Sequence, residues 1–455
     1  MRKNVSLVLW VSLAVVLILG VGILVGFPIW MRGVLSGPGF RQLIAEKTGA
    51  ALHATAIYSP LTWQGSSAFA DSLEIEGTPG SFVKNLHADQ IRAEVNWREI
   101  WNGVWRVDRI DVTHLVGEFG TRTDSDSGLA PAATSSTLKL PSFLPKRFEL
   151  GELNLVQTQL TFQGGKDGIP LVLDNARLLA KPDGAGWTVE GNGGTLTLPM
   201  LPKFRVVSFR SRLQEQVFFL TDAKFRLGPN GELTAAGEFA EASKLRIEWS
   251  RLDVAAILDE KWRTRLSGRF DGAANLDWPS AGPAAGTAKG TFVVTEGVLQ
   301  NLPMLDKVAS FTGARQFRHM PIQEFSGTYH WSGGALKATD LVLESKGLMR
   351  VEGNCDLAPD GRLTGTLRIG VTPQTLQWLP GSRERVFTVS ENGYLWTPLQ
   401  LGGTLQNPKE DLSARLAAAM KDEVIDQGRK ALEVLPGPAK KGAQGLLDAL
   451  APLLR

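Results

Sequence analysis

The residue types that could do acid–base, metal or nucleophilic chemistry are present but scattered. Asp71, Glu74, Glu118 and Asp174 are the acids that general acid–base catalysis would draw on. Each falls where a strand face meets solvent, and no spacing pairs one with a base. Histidines stand at positions 53, 87, 114, 319 and 330. They form no HxxxH or HExxH pattern and no cysteine cluster joins them, so a zinc site has little support. Cys355 is the single cysteine, so it forms no internal disulfide, and it reads as a small core residue. A nucleophile elbow, a phosphate loop and a dinucleotide fingerprint are missing. One aromatic pattern stands out. Trp97, Trp101 and Trp105 lie four apart in "VNWREIWNGVWRVDRIDV" (95–112), as a recognition box, a helix packed on a sheet or an architectural landmark would require.

The elements around these tryptophans favour the landmark. "HADQIRAEVNW" (87–97) alternates, with Ile91, Ala93, Val95 and Trp97 on one parity, which is a strand with one apolar face. Trp97 then ends a strand, "REIWNGV" makes a short helical turn with Trp101 on it, and Trp105 begins the next strand. Val107 and Ile110 are three apart, which suggests a bulge or twist. The same short-strand rhythm persists almost to residue 405. Its turns are expected at Pro182-Asp183-Gly184, Gly191–Gly194, Asn230-Gly231 and Pro359-Asp360-Gly361. Leu252–Asp259 and Met304–Thr312 are the helical exceptions.

Both termini differ. Asn4 to Met31 is a run of 28 uncharged positions behind Arg2 and Lys3. A helix needs only about 20 apolar residues to cross a bilayer. No small-x-small cleavage site follows, so the run reads as an uncleaved signal anchor. The charge rule places its N-terminus inside and the bulk of the chain outside. "PGFRQLIAEKTGAALHA" (38–54) reads as a short helix ended by Thr48-Gly49. At the other end, residues 407–435 read as a helix begun by Asn407 or Pro408. Leu412, Leu416, Ala419 or Met420, and Glu423 or Val424 trace its stripe. This helix either contacts a partner or membrane, or caps the open sheet edge. The formal net charge is +3, with Lys and Arg dispersed, so nothing calls for a nucleic-acid partner.

The expected plan is therefore mostly β. A cytoplasmic stub and anchor occupy 1–36, a helix and first strands 37–119, a Ser/Thr/Ala/Pro loop 120–142, a β body 143–406, and an amphipathic helix and tail 407–455. About 25 antiparallel strands fit, spanning on the order of 120 Å at about 4.8 Å per strand. With few helices to hide its apolar side, the sheet must pack on itself or curve into a groove that holds something apolar.

The order of several short segments resembles the AsmA-like family of Gram-negative envelope proteins (AsmA/TamB type). They are "GFRQLIAEKTGAAL" (39–52), "LEIEG" (73–77), "ADQIRAEVNWREIWNGVWRVDRIDV" (88–112), "TFVVTEGVLQNLPMLDKVASFTG" (291–313), "FSGTYHWSGGALKATDLVLES" (325–345), "LMRVEGNCDLAPDGRLTGTLRIGV" (348–371) and "LGGTLQNPKEDLS" (401–413). Residues 145–285 match only by rhythm, and the chain is shorter than several relatives. The resemblance implies a single-pass inner-membrane protein whose long, curved antiparallel sheet forms a lipid-binding groove in the periplasm. It implies phospholipid transport between inner and outer membranes and a part in envelope integrity, without catalysis or cofactor. The alternative it leaves open is an assembly or structural factor for envelope proteins, with an outer-membrane or periplasmic partner. Candidate groove-lining or packing positions are Ile91, Val95, Val107, Ile110, Val112, Leu341, Val342, Leu363 and Leu367.

Overall fold

In a computed structural model the chain is mostly β. The structure describes residues 33–100, 104–120, 147–163, 170–198, 201–214, 217–240, 242–279, 285–301, 309, 315–377, 381–404 and 406–434. The expected anchor, Trp101, nearly all of the 120–142 loop, most of Met304–Thr312 and the tail after Val434 lie outside these residues. Among the described residues, no helix is long and apolar enough to cross a membrane. The chain divides into two compact units, Met1–Gln216 and Val217–Arg455.

The first unit opens with helix α1 (Pro38–Leu52), whose proline has the fixed φ that a first turn needs. The helix runs past the expected stop at Thr48-Gly49. It ends where His53 turns left-handed (φ 52°) and donates its N–H to the Gly49 carbonyl. Gly49 serves close approach instead, because a Cβ there would sit 2.4 Å from the Ala54 oxygen. The strands are β1 (Ala54–Tyr58), β2 (Thr62–Gln64), β3 (Ser67–Gly77), β4 (Val83–Asn96), β5 (Val104–Phe119), β6 (Arg147–Phe162), β7 (Leu171–Asp183), β8 (Gly186–Asn192), β9 (Thr195–Thr197) and β10 (Phe204–Gln214), with the one-turn helix α2 (Trp97–Ile100) between β4 and β5. β1 and β2 both pair with β3, and β3 to β7 then pair in chain order. β8 and β9 both bridge β7 to β10.

One pairing corrects the expected all-antiparallel sheet. β5 and β6 run parallel, from Val104 beside Arg147 to Phe119 beside Phe162. β6 therefore begins beside the start of β5, and parallel neighbours require a crossover connection rather than a hairpin.

The second unit contains β11 (Val217–Leu227), β12 (Gly231–Phe239), β13 (Ser243–Asp253), α3 (Val254–Ile257), α4 (Glu260–Arg263), β14 (Leu266–Trp278), β15 (Thr287–Gln300), β16 (His319–Ile322), β17 (Glu324–Ser332), β18 (Ala335–Ser345), β19 (Met349–Leu357), β20 (Leu363–Val371), α5 (Pro373–Leu376), α6 (Ser382–Arg385), β21 (Val389–Glu391), β22 (Tyr394–Gly403), β23 (Pro408–Glu410) and α7 (Leu412–Val434). It is an antiparallel meander in which β15 pairs with both β16 and β17. β22 pairs with β20 on one side and with β21 and β23 on the other.

Two local expectations shift. The β11–β12 turn does not use Asn230-Gly231 as its centre. Gly228 carries the positive φ, and Gly231 already opens β12 opposite Leu227. The last helix does not begin at Asn407 or Pro408. Pro408–Glu410 form β23, and α7 begins at Leu412, where Ser413 N–H meets the Glu410 carboxylate. Proline lacks the N–H an inner strand needs, but an edge strand tolerates it.

A repeated irregularity organises the strands of both units. A strand that keeps one face buried should place apolar residues two apart. Here the apolar set steps by three once in many long strands. Ala70, Ile91 and Val112 are cross-strand partners, and so are Leu73, Ala88 and Leu115. The same step separates Leu155 from Thr158, Leu173 from Ala176, Leu220 from Ala223, Trp249 from Leu252, Val294 from Gly297 and Ala338 from Leu341. In five of these strands the residue just before the pattern resumes is left-handed and not glycine: Gln90, Asn175, Arg251, Glu296 and Asp340. Such a conformation costs about 1–2 kcal/mol. Side chains from the next strand help to offset it. Arg251 N–H donates to Asp271 Oδ1 at 2.9 Å, and Asp340 N–H donates to Asn354 Oδ1 at 3.1 Å. A further bulge skips Asp108, so Val95 faces Val107 while Glu94 faces Arg109. That is the irregularity expected from the Val107–Ile110 spacing.

Candidate functional site

Cross-strand partners share a face, so register alone sorts the second unit into two surfaces. On one, Trp249 lies beside Gly272, then Phe292, then Gly327. Leu341 follows, facing Gly353, then Leu367, then Leu399. The neighbouring row runs through Ile247, Ala274, Gly290, Tyr329, Ala338, Cys355 and Gly365. Trp249, Phe270, Phe292 and Phe325 make an aromatic run across four strands, with successive centroids 5.3, 6.4 and 5.1 Å apart. Tyr329 crosses Gly290 to donate to the Ala273 carbonyl at 3.2 Å.

The coverage of this face is uneven. At one end of the strands, Met349, Ile369, Val371 and Leu395 are buried beneath Leu376, Val386, Phe387, Leu412 and Ala419 from α5 to α7. Away from that cluster, Ile247, Trp249, Phe270, Phe292, Phe325, Tyr329, Trp331 and Leu336 remain half-buried. None of them belongs to the cluster under α7. Large contiguous apolar patches on protein surfaces often mark interaction sites.

The other face is charged and self-neutralised. Arg350 bonds Glu352 at 2.6 Å and Glu344 at 3.2 Å, while Arg368 reaches Glu352 and, at 2.8 Å, Glu391. Burial would raise the Glu352 pKa, but the hydrogen bonds from Arg350 and Arg368 outweigh it and hold the carboxyl below its usual range. The Arg368 guanidinium also lies 4.3 Å over the Trp396 ring.

The positions singled out by sequence divide accordingly. Ile91, Val95, Val107, Ile110 and Val112 all point to the apolar face of the first unit, with Ile91 opposite Val112, Val95 opposite Val107 and Ile110 opposite Ala93. Val95 and Val112 are buried, at 6% and 5% exposure. Ile91 and Val107 pack against the cluster of Leu35, Phe40, Leu61, Ala70, Val95 and Trp105, so these three are packing positions beside α1. Ile110 is half-buried. In the second unit, Leu341 lies on the open face, Leu367 packs against the C-terminal cluster, and Leu363 is buried at 7%. Val342 is on the opposite, charged face, where its partners are Ser326 and Glu352.

The tryptophan stretch is a landmark within an aromatic cluster. Trp105 is 2% exposed and lies 5.0 Å from Phe40 of α1, while Trp97 lies 5.6 Å from Trp63 and 6.4 Å from Trp105. The open aromatic run escaped the sequence reading, although Trp249, Phe270, Phe292 and Phe325 all sit at alternating positions of their strands.

The four candidate acids are exposed. Glu74 and Glu118 border a shallow depression of about 350 Å³ with Ile57, His87 and Val116. His87 pairs with Asp89 at 3.0 Å. Cys355 lies on the open apolar face, where burial, assisted by the Asp356 charge, pushes its thiol pKa up and keeps it protonated.

No protein-family model, curated protein or solved structure matches the chain.

Proposed function

We propose that this chain is a membrane-anchored envelope protein whose apolar sheet face holds the acyl chains of phospholipids and contributes to their transport between inner and outer membranes. One observation carries the reading: the half-buried aromatic and aliphatic face that runs from Ile247 and Trp249 to Leu336 and Leu341, backed by a neutralised polar face. Each methylene moved out of water onto such a face contributes about 0.8 kcal/mol. A row of such side chains lowers the cost of carrying a lipid tail through an aqueous compartment. The work is binding without catalysis, the sheet bends into a groove around its cargo, and the N-terminal uncharged run anchors the chain with its bulk in the periplasm. The order of the segments that resemble the AsmA-like family supports the same assignment.

The alternative is an assembly factor that binds client strands at an open sheet edge. The side-chain contacts along the outer edge of β22 count against that edge as the docking place.

A photo-crosslinking amino acid in place of Phe292 or Leu341 tests the reading in living cells. Phospholipid adducts at both positions are expected, with none at Val342 on the charged face. Adducts to protein alone at Phe292 and Leu341 would overturn it.

A further inference from the structure

The ion pairs that neutralise the charged face around Glu352 do not extend to the β17–β18 turn. There the charged-face row runs Lys289, His330, Lys337, Asp356 and Thr364, each directly opposite the next. Among the described residues, no hydrogen bond or ion pair engages the side chains of Lys289, His330, Lys337 or Asp356. Cross-strand neighbours of opposite charge stabilise a sheet, and like charges so placed weaken it. Here three basic side chains stand in line, and Lys337 leaves the carboxylate opposite it unpaired.

The end of this row is concave. A depression of about 460 Å³ lies beside the β17–β18 and β19–β20 turns, which meet where a Cβ on Gly334 would sit 3.4 Å from Pro359. Its polar lining is His330, Ser332, Lys337, Asp356, Arg362 and Thr364. Arg362 is already bonded to Asp360 at 2.6 Å. That leaves Lys337 and His330 to meet an anion and Asp356 to meet a cation. Directly opposed residues have Cβ atoms about 4.5–5.5 Å apart. A ligand that satisfies both sides must therefore carry its own negative and positive groups close together. A primary ammonium fits better than a quaternary one, because Asp356 accepts hydrogen bonds and no aromatic ring is among the described lining residues. The depression is also lined by Leu336 and Leu357, which with Trp331 and Leu363 form the apolar row one residue away. Trp331 and Leu336 belong to the open apolar face. The depression thus sits at the rim of that face, where charged and oily side chains adjoin.

We propose that this depression holds the headgroup of a zwitterionic phospholipid, with Lys337 and His330 on the phosphate, Asp356 on the ammonium, and the acyl chains passing Trp331 and Leu336 onto the open face. The inference rests on the acyl-chain reading of that face and adds headgroup selectivity to it.

The test uses the full chain in detergent and follows quenching of its tryptophans by lipids brominated in identical acyl chains. The probes are phosphatidylethanolamine, phosphatidylglycerol and diacylglycerol. The ethanolamine lipid should bind the intact chain more tightly than the glycerol lipid. Asp356→Asn should remove that preference, a change of about two- to fivefold for an ion pair at an exposed site. Lys337→Gln should weaken both phospholipids and leave diacylglycerol unchanged. Both side chains are exposed, so the variants should keep the intact chain's denaturant midpoint. Equal binding of the two phospholipids by the intact chain, or a preference that survives Asp356→Asn, overturns the headgroup site, while quenching by diacylglycerol keeps the acyl-chain reading standing. Quenching by none of the lipids overturns both. Free phosphoethanolamine at equal concentration should not displace the ethanolamine lipid. Displacement would assign the depression to a soluble phosphate ester and overturn the proposal.

Discussion

Glu352 shows how single residues report on the polar face. Its folded pKa lies below its ordinary value, with the hydrogen bonds from Arg350 and Arg368 outweighing burial. A carboxyl so lowered contributes stability that is present above its unfolded pKa, about 4.3. That contribution fades as pH falls through the lower folded value. Denaturant midpoints measured against pH should therefore drop on acidification through this range, and Glu352→Gln should flatten that part of the slope. Cys355 is expected to behave oppositely. Its raised pKa makes thiol labelling slow near neutrality, with the rate still climbing above about pH 8.5. Bound phospholipid should slow it further, and a rate indifferent to lipid would contradict the placement of cargo on this face. Most candidate positions were legible because Ile91, Ala93 and Val95 alternate, and so do Ile110 and Val112, on the stretches between the steps. Val342 was not. Counting by twos from Leu336 and Ala338 puts position 342 on the apolar face. The left-handed turn at Asp340 moves that face to Leu341 and Leu343 instead.

At the scale of elements, the bulges decide which half of a strand faces which way. Asp340→Gly should be neutral or stabilising, because glycine takes the left-handed conformation freely. Asp340→Val should destabilise by about 1–2 kcal/mol, read from a shifted denaturant midpoint. Deleting Glu296 should cost less than deleting Phe292 from the same strand, read from the same midpoints, because it turns the three-residue step into ordinary alternation and leaves Gly297 and Leu299 on their face. Sequence periodicity located the strands well, since β4, β7, β12 and β20 each sit between recognisable turns. The parallel β5–β6 pair was not legible, because local pattern says nothing about the direction from which a distant strand returns. The start of α7 was misplaced for a related reason. Pro408 suits a helix N-terminus and an edge strand alike, and only Leu401–Gly403 alongside it decides between them.

For the whole molecule, the proposed cargo gives a spectroscopic expectation. Trp249 and Trp331 lie half-buried on the open apolar face, whereas Trp105 is sealed under α1. Phospholipid brominated in its acyl chains should quench the chain's fluorescence. Trp249→Phe and Trp331→Phe should each reduce the quenchable fraction, and Trp105→Phe should leave it unchanged. The second unit's core gathers under α5, α6 and α7 at one end of its strands, so the buried core and the proposed cargo surface occupy different parts of one face. The recurring three-residue step has a further consequence for how such a chain changes over generations. Because β13, β15 and β18 each correct their own phase, a hairpin carries its alignment with it. Duplicating or losing one alters the sheet by two strands, about 9.6 Å, and leaves its neighbours' inward residues inward. Gain or loss of a single residue inside a strand enjoys no such tolerance. Length in this architecture is therefore free to evolve in fixed increments, while the side on which its oily surface lies stays constant.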